Sequence, residues 1–274
     1  MKSFGNIAKD GQVRSVASGT LTDGKAVIVN ADGTVSVVAS TGSATQALGS
    51  DSVFESATVS ETQSAYDTTN NKVVIAYRDH GNSNYGAAVV GTVSGTSISF
   101  GSPSTFNTSG YTADISIAFD ATAGKFVIAF RDNGNNNYGT AIVGTVSGTS
   151  ISFGTKAVFD SNQAQDTSMA YDSSAGKVVL CYLDDTASPT GAANVCIISG
   201  TSISFGSQTV FESAQIEYTK AVYDANAQKI VVAYRDKGNS NYGTAVVGTV
   251  SGTSISFGTP VVYYAGNVLF LANA

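Results

Sequence analysis

The chain has no tryptophan, one histidine, two cysteines and three prolines among its 274 residues. Each scarcity excludes something. With His80 as the one histidine and no CxxC pair, a zinc site has no ligand set to draw on. Lys and Arg total 14 against 20 Asp and Glu, for a formal charge of −6, and the cations do not cluster, so a phosphate-backbone partner is not expected. No run of eighteen apolar residues is present to cross a bilayer, so no membrane insertion is expected. The opening MKSFGNIAKDGQ lacks the apolar core of a secretory signal, as expected of a protein released by another route or retained in the cytosol. Charged residues make up only 12%.

What is abundant is Gly, Ser, Thr, Asn and β-branched residues, with 42% hydrophobic overall. That mix builds a core from short strands and tight turns and suits long helices badly. The tract GTVSGTSISFG occurs at 91–101, 144–154 and 248–258, and SGTSISFG at 199–206. An Asp followed five residues later by Lys and an apolar run recurs as Asp67/Lys72, Asp120/Lys125, Asp172/Lys177 and Asp224/Lys229, at steps of 53, 52 and 52. A weaker copy, GTLTDGKAVIVNADGTVSVV, aligns Lys25 with that series, 47 residues before Lys72. A period of about fifty residues is one supersecondary unit. Each unit reads as four strands bounded by Gly, Asn, Asp and Ser, joined by hairpins.

The second strand of each unit (VVIAY, FVIAF, VVLCY, IVVAY) is apolar on both faces. A sandwich leaves one face polar, whereas units packed face to face around an axis cover both. The expected fold is therefore all-β, a five-bladed β-propeller of four-stranded antiparallel blades in a single domain, 1–274. A linear β-solenoid is the alternative. The blades fall at about 14–56, 57–109, 110–161, 162–213 and 214–264, with 265–274 as a closing or extra strand. Cys181 and Cys196 fall on adjacent strands of the fourth unit, out of cross-strand register, and are expected as free buried thiols.

Two constellations carry candidate chemistry. The loop after the second strand reads Arg78-Asp79 with Asn82, Asn84 and Tyr85, then Arg131-Asp132 with Asn135, Asn137 and Tyr138, then Arg235-Asp236 with Asn239, Asn241 and Tyr242. Planar donors and acceptors beside an aromatic ring suit a sugar. They equally suit latches between blades and left-handed turns. The fourth unit (YLDDTASPTG) departs from this pattern. Six residues before the Asp that ends each first strand stand Glu61, Asp114, Asp166 and Tyr218, the last with Glu217 beside it, and Arg14 in the first unit. If the first strand lines the axis, these ring a channel mouth. There they are a glycosidase's acid and base, a cation site, or simply hydrated side chains.

The (Y/F)RDxGNxNYG…GTVSGTSISFG repeat, with the opening GTLTDGKAVIVNADGTVSVV, resembles a family of repetitive proteins of marine bacteriophages, over about residues 14–262. The resemblance implies a virion component (a fibre, tail appendage or surface decoration), extracellular after lysis, with other virion proteins as partners and no cofactor. It carries no catalytic residues. The function expected is a non-enzymatic virion structural module that either binds host-surface glycan through the Arg-Asp-Asn-Tyr loops or serves as an assembly part. The alternatives are a propeller glycosidase using the channel-mouth carboxylates, which the missing tryptophan and the likeness of the blades disfavour, and a pure spacer.

Overall fold

The computed structural model describes residues 49–269 without interruption, together with Ala17, Gly19, Thr20, 27–32 and 34–37. It separates into two compact units, Met1–Gly49 and Ser50–Ala274. In the first, β1 (Val27–Val29) and β2 (Val35–Val37) form an antiparallel hairpin with Ile28 opposite Ser36. Its turn is held by Asn30 N–H donating to Thr34 O at 2.8 Å and by the Asp32 carboxylate, which accepts from Thr34 N at 2.9 Å. Arg14 lies outside the described residues.

The second unit is four copies of one antiparallel meander. The first copy comprises β3 (Val59–Asp67), β4 (Lys72–Asp79), β5 (Tyr85–Ser94) and an outer strand in two pieces, β6 (Ser97–Phe100) and β7 (Ser104–Asn107), both paired to β5. The second runs β8 (Thr112–Asp120), β9 (Lys125–Asp132), β10 (Tyr138–Ser147) and β11 (Ser150–Phe153). It is completed by the start of β12 (Ala157–Asp172), whose remainder becomes the first strand of the third copy. That copy continues with β13 (Lys177–Asp185), β14 (Thr190–Ser199), β15 (Ser202–Phe205) and β16 (Thr209–Glu212). The fourth has β17 (Ile216–Asp224), β18 (Lys229–Asp236), β19 (Tyr242–Ser251), β20 (Ser254–Phe257) and β21 (Val261–Asn267). The last strand departs from the sequence expectation. Residues 265–267 belong to β21, which pairs with β19 as β7 pairs with β5, and so complete the fourth copy's own outer strand.

Local chemistry explains the repeat. Each first strand ends in an Asp whose side chain accepts two backbone N–H groups of the following turn. Asp120 takes Thr122 and Ala123, and Asp172 takes Ser174 and Ala175, all at 2.9 Å. The Lys that opens the second strand does not pair with that Asp: Lys72 and Lys125 donate instead to Thr92 and Thr145, at 2.8 and 2.9 Å.

Packing follows from alternation along the second strands. Phe126 and Ile128 enter one core with the first copy, while Val127 and Ala129 enter another with the third. A further core joins the third copy to the fourth through Val179, Cys181, Ile230 and Tyr234. Cys181 and Cys196 thus lie on opposite faces of their sheet, in different cores, and remain free. The first sheet's other face buries Tyr77, Ala87 and Val89 in a small core with Phe54 and Phe100, whereas the fourth sheet's outer face is exposed. Val247 is 48% exposed where its counterparts Val90, Val143 and Val195 are fully buried.

Two outcomes test this packing. A Cβ on Gly134 would lie 0.9 Å from Ser109 O, backbone that no rotamer change can move, so Gly134→Ala is expected to destabilise by about 3 kcal/mol or more. Gly148, at φ +64° with nothing within 4 Å, should lose only about 1 kcal/mol as Ala, for its left-handed backbone; urea titration distinguishes the two. The thiols should resist a disulfide exchange reagent until the chain unfolds, because burial pushes Cys181 up to about 12 and Cys196 higher still.

Candidate functional site

In each copy the first strand slips register against the second, between Ser60 and Gln63, Ala113 and Ser116, Gln165 and Ser168, and Glu217 and Lys220. One residue in each slip takes a left-handed backbone: Glu61 (φ 56°), Asp114 (50°), Asp166 (49°) and Tyr218 (57°). A bulge of this kind re-aims a side chain that the pleat would otherwise bury. The first strands β3, β8, β12 and β17 lie side by side. Their four re-aimed residues therefore share one pocket of about 140 Å³, with Gln63, Ile115, Thr167, Thr219 and Lys220 in its wall.

Left-handed backbone at a non-glycine residue costs about 1–2 kcal/mol, and hydrogen bonds between copies offset it. Asp114 Oδ1 accepts from Asp166 N at 3.0 Å, and Asp166 Oδ2 accepts from Tyr218 N at 3.0 Å. The Thr167 hydroxyl donates to Asp114 O. Each carboxylate thereby ties its own bulge to the next copy's.

The acids differ in their cations. Arg131 Nε lies 2.8 Å from Asp114 Oδ2, and Arg78 Nη2 lies 3.6 Å from Glu61 Oε1. Glu217 is held by Arg235 and, at 2.8 Å, by Lys237. In the third copy Leu183 stands opposite Gln165, where Arg131 stands opposite Ala113. Asp166 therefore has no guanidinium from its own copy. Burial pushes its carboxyl above the usual range; the Tyr218 N–H opposes this, Asp114 and Glu217 add to it, and Lys220 pulls back.

The loop residues divide. Arg78 also donates to Ser60 Oγ at 2.9 Å and Thr112 O at 3.3 Å, and Arg235 donates to Val268 O at 3.1 Å and covers the Tyr218 ring at 4.9 Å. Asp79, Asp132 and Asp236 are buried. Asp79 accepts Gly81 N at 2.8 Å and Asn82 N at 3.1 Å, and Asp236 accepts Asn239 N at 3.1 Å. Asn82 and Asn239 are exposed, whereas Asn84, Asn135, Asn137, Asn241 and the rings of Tyr85, Tyr138 and Tyr242 are half-buried. Exposed His80 lies 2.9 Å from Ser60 Oγ. The fold thus brings the arginines to the acidic ring, uses Asp79 and Asp236 in their own turns, and turns Asp132 to Ser109, Asn107 and Lys156. Sequence reasoning missed Gln63, Thr167 and Lys220. Lys220 had a signal, since it stands where the second and third copies carry Ser116 and Ser168.

Among the described residues, no three His, Cys, Asp or Glu side chains gather to hold a metal ion, and no helix is long and apolar enough to cross a membrane.

No protein-family model matches the chain, and no curated protein does. Among solved structures, a thermostable family-43 glycoside hydrolase matches with a TM-score of 0.45 and 10% identity, over 79% of this chain and 78% of its own. That structure's own description is of an enzyme, and it stands against the expectation of a non-enzymatic module, which is not carried further.

The environment of Asp166 has a measurable consequence. Because its carboxyl is raised in the folded chain, the native state favours its protonated form, and that contribution to stability is lost as pH rises past the unfolded value through the raised one. Asp166→Asn keeps an acceptor for Tyr218 N–H and removes the charge. Its melting temperature should match wild type near pH 4 and exceed it increasingly toward pH 7, read by differential scanning fluorimetry.

Proposed function

We propose that this chain is a glycoside hydrolase built as a five-bladed β-propeller. Five copies of one repeat in the sequence support the blade count. The observation that carries the activity is Asp166, the one acid of the pocket whose own copy provides Leu183 in place of an arginine, buried beside Asp114. A carboxyl whose protonated form burial favours, beside carboxylates held by arginine, is one way for a site to provide both an acid and a base.

In this reading Asp166 gives its proton to the glycosidic oxygen as the bond from the anomeric carbon breaks. Water adds to that carbon and passes its proton to Glu61, whose Arg78 stands off at 3.6 Å. Asp114, held by Arg131, sets the field around the developing positive charge. Exposed Asn82 and Asn239 offer hydrogen bonds to sugar hydroxyls, and Tyr85, Tyr138 and Tyr242 offer rings to an apolar sugar face. The resemblance of the repeat to marine phage proteins suggests a virion setting and a host-surface polysaccharide as substrate.

Reducing-sugar release from a panel of bacterial and algal polysaccharides, together with aryl glycosides, tests the proposal. Asp166→Asn should lower kcat about 10²–10⁴-fold on natural glycosides. On a dinitrophenyl glycoside, whose leaving group needs no proton, most of that loss should vanish, while Glu61→Gln should be impaired on both. No hydrolysis across the panel, or full activity in Asp166→Asn, would overturn the assignment.

A further inference from the structure

A second polar cluster recurs behind the loops, apart from the pocket. The first copy has Glu55, Tyr77 and Asp79, with the Tyr77 hydroxyl donating to Glu55 Oε2 at 3.4 Å. The fourth has Glu212, Tyr234 and Asp236, with Tyr234 donating to Glu212 Oε2 at 3.1 Å. In the third the same places hold Asp160, Tyr182 and Asp184. The second copy differs: Asn107 and Phe130 replace acid and tyrosine, and a lysine enters. Lys156 Nζ donates to Asn107 Oδ1 at 2.8 Å, and to Ser109 Oγ and Asp132 Oδ2 at 2.9 Å each. A positive centre thus sits in a nest of three oxygens.

The position of Lys156 is held by Pro103, Gln208 and Pro260 in the other copies. Acid count and cation therefore run opposite to what neutrality asks. The cluster with a lysine has one carboxylate, and those without one have two. In the third copy Asp160 and Asp184 are only 6% and 8% exposed. Asp160 Oδ1 accepts Asn162 N at 2.9 Å and Asp184 Oδ2 accepts Gln208 Nε2 at 3.2 Å. Their other oxygens, Asp160 Oδ2 and Asp184 Oδ1, are buried with no hydrogen-bond partner among the described residues. Two buried carboxylates with unused oxygens and no counter-charge are strongly unfavourable.

We infer that the Asp160–Asp184 cluster binds a hard cation of the calcium type, which takes in the third copy the place that Lys156 Nζ takes in the second. Asp160 Oδ2 and Asp184 Oδ1 are its anionic ligands. The Tyr182 hydroxyl and, with its amide turned over, Gln208 Oε1 add neutral oxygens, and water completes the six to eight that calcium takes. Gln208 is exposed, so the site opens to solvent beneath its side chain. A bound ion joins the loop before β16 to β13, as Lys156 joins the segment before β12 to Asp132. The site shares no residue with the pocket, so it stands or falls apart from the hydrolase reading.

The test uses the full chain stripped with a chelator. Calcium at a hundredfold excess over its Kd should raise the melting temperature by about 5–10 °C. Terbium should give tyrosine-sensitised emission, with no tryptophan to compete. Gln208→Lys copies an arrangement the fold already contains, so it should fold; it should bind one terbium ion fewer per chain and lose part of the calcium shift. Asp184→Asn should behave likewise. Absence of any calcium response would overturn the inference, as would a terbium stoichiometry unchanged in Gln208→Lys. So would a melting temperature that answers only to acidification, which would mean that the two carboxyls share a proton.

Discussion

Residues 50–269 depend on sheet-to-sheet burial. A second strand such as Lys125–Asp132 sends Phe126 and Ile128 to one neighbouring sheet and Val127 and Ala129 to the other, all at or near zero exposure. Each such side chain removed from water is worth about 1.5–3 kcal/mol. No sheet can collect that stabilisation alone, so the copies must stack, and stacking brings their first strands side by side. The pocket is a consequence of this packing: it exists because four equivalent bulges are brought to one place.

The bulges couple stability to chemistry. A left-handed Asp114 or Asp166 is unfavourable in isolation, and it persists because its carboxylate caps the next copy's backbone. The same carboxylates face the pocket. Where the repeat supplies an arginine, the acid is held in an ion pair; where Leu183 stands instead, the acid is left desolvated. One substitution in an otherwise regular array thus makes one member of the ring unlike the rest.

Much of this could be read before the fold was known. The fifty-residue period, the four-strand anatomy and the two-faced second strands all follow from residue types at fixed spacing. Glu61, Asp114, Asp166 and Tyr218 emerged by counting back from an Asp, because bulges keep their place in a repeat. The role of Arg78, Arg131 and Arg235 did not emerge. Their distance in sequence from the acids gives no hint that the register shift turns the acid toward them. Nor was the end of the fourth copy's outer strand legible, since VVYYAGN shares little with STFN or TVFE beyond its place after SISF.

The sequence by itself determined the strands, their turns and their number in each copy, because turn chemistry and period-two alternation are local. Only the tertiary structure decided which charges meet. Asp79 and Asp132 are the same letter in the same motif, yet one caps its own loop and the other receives Lys156 from 24 residues along the chain. Burial, and the partner that packing happens to supply, set what a carboxylate does, and neither is encoded within the reach of a single turn.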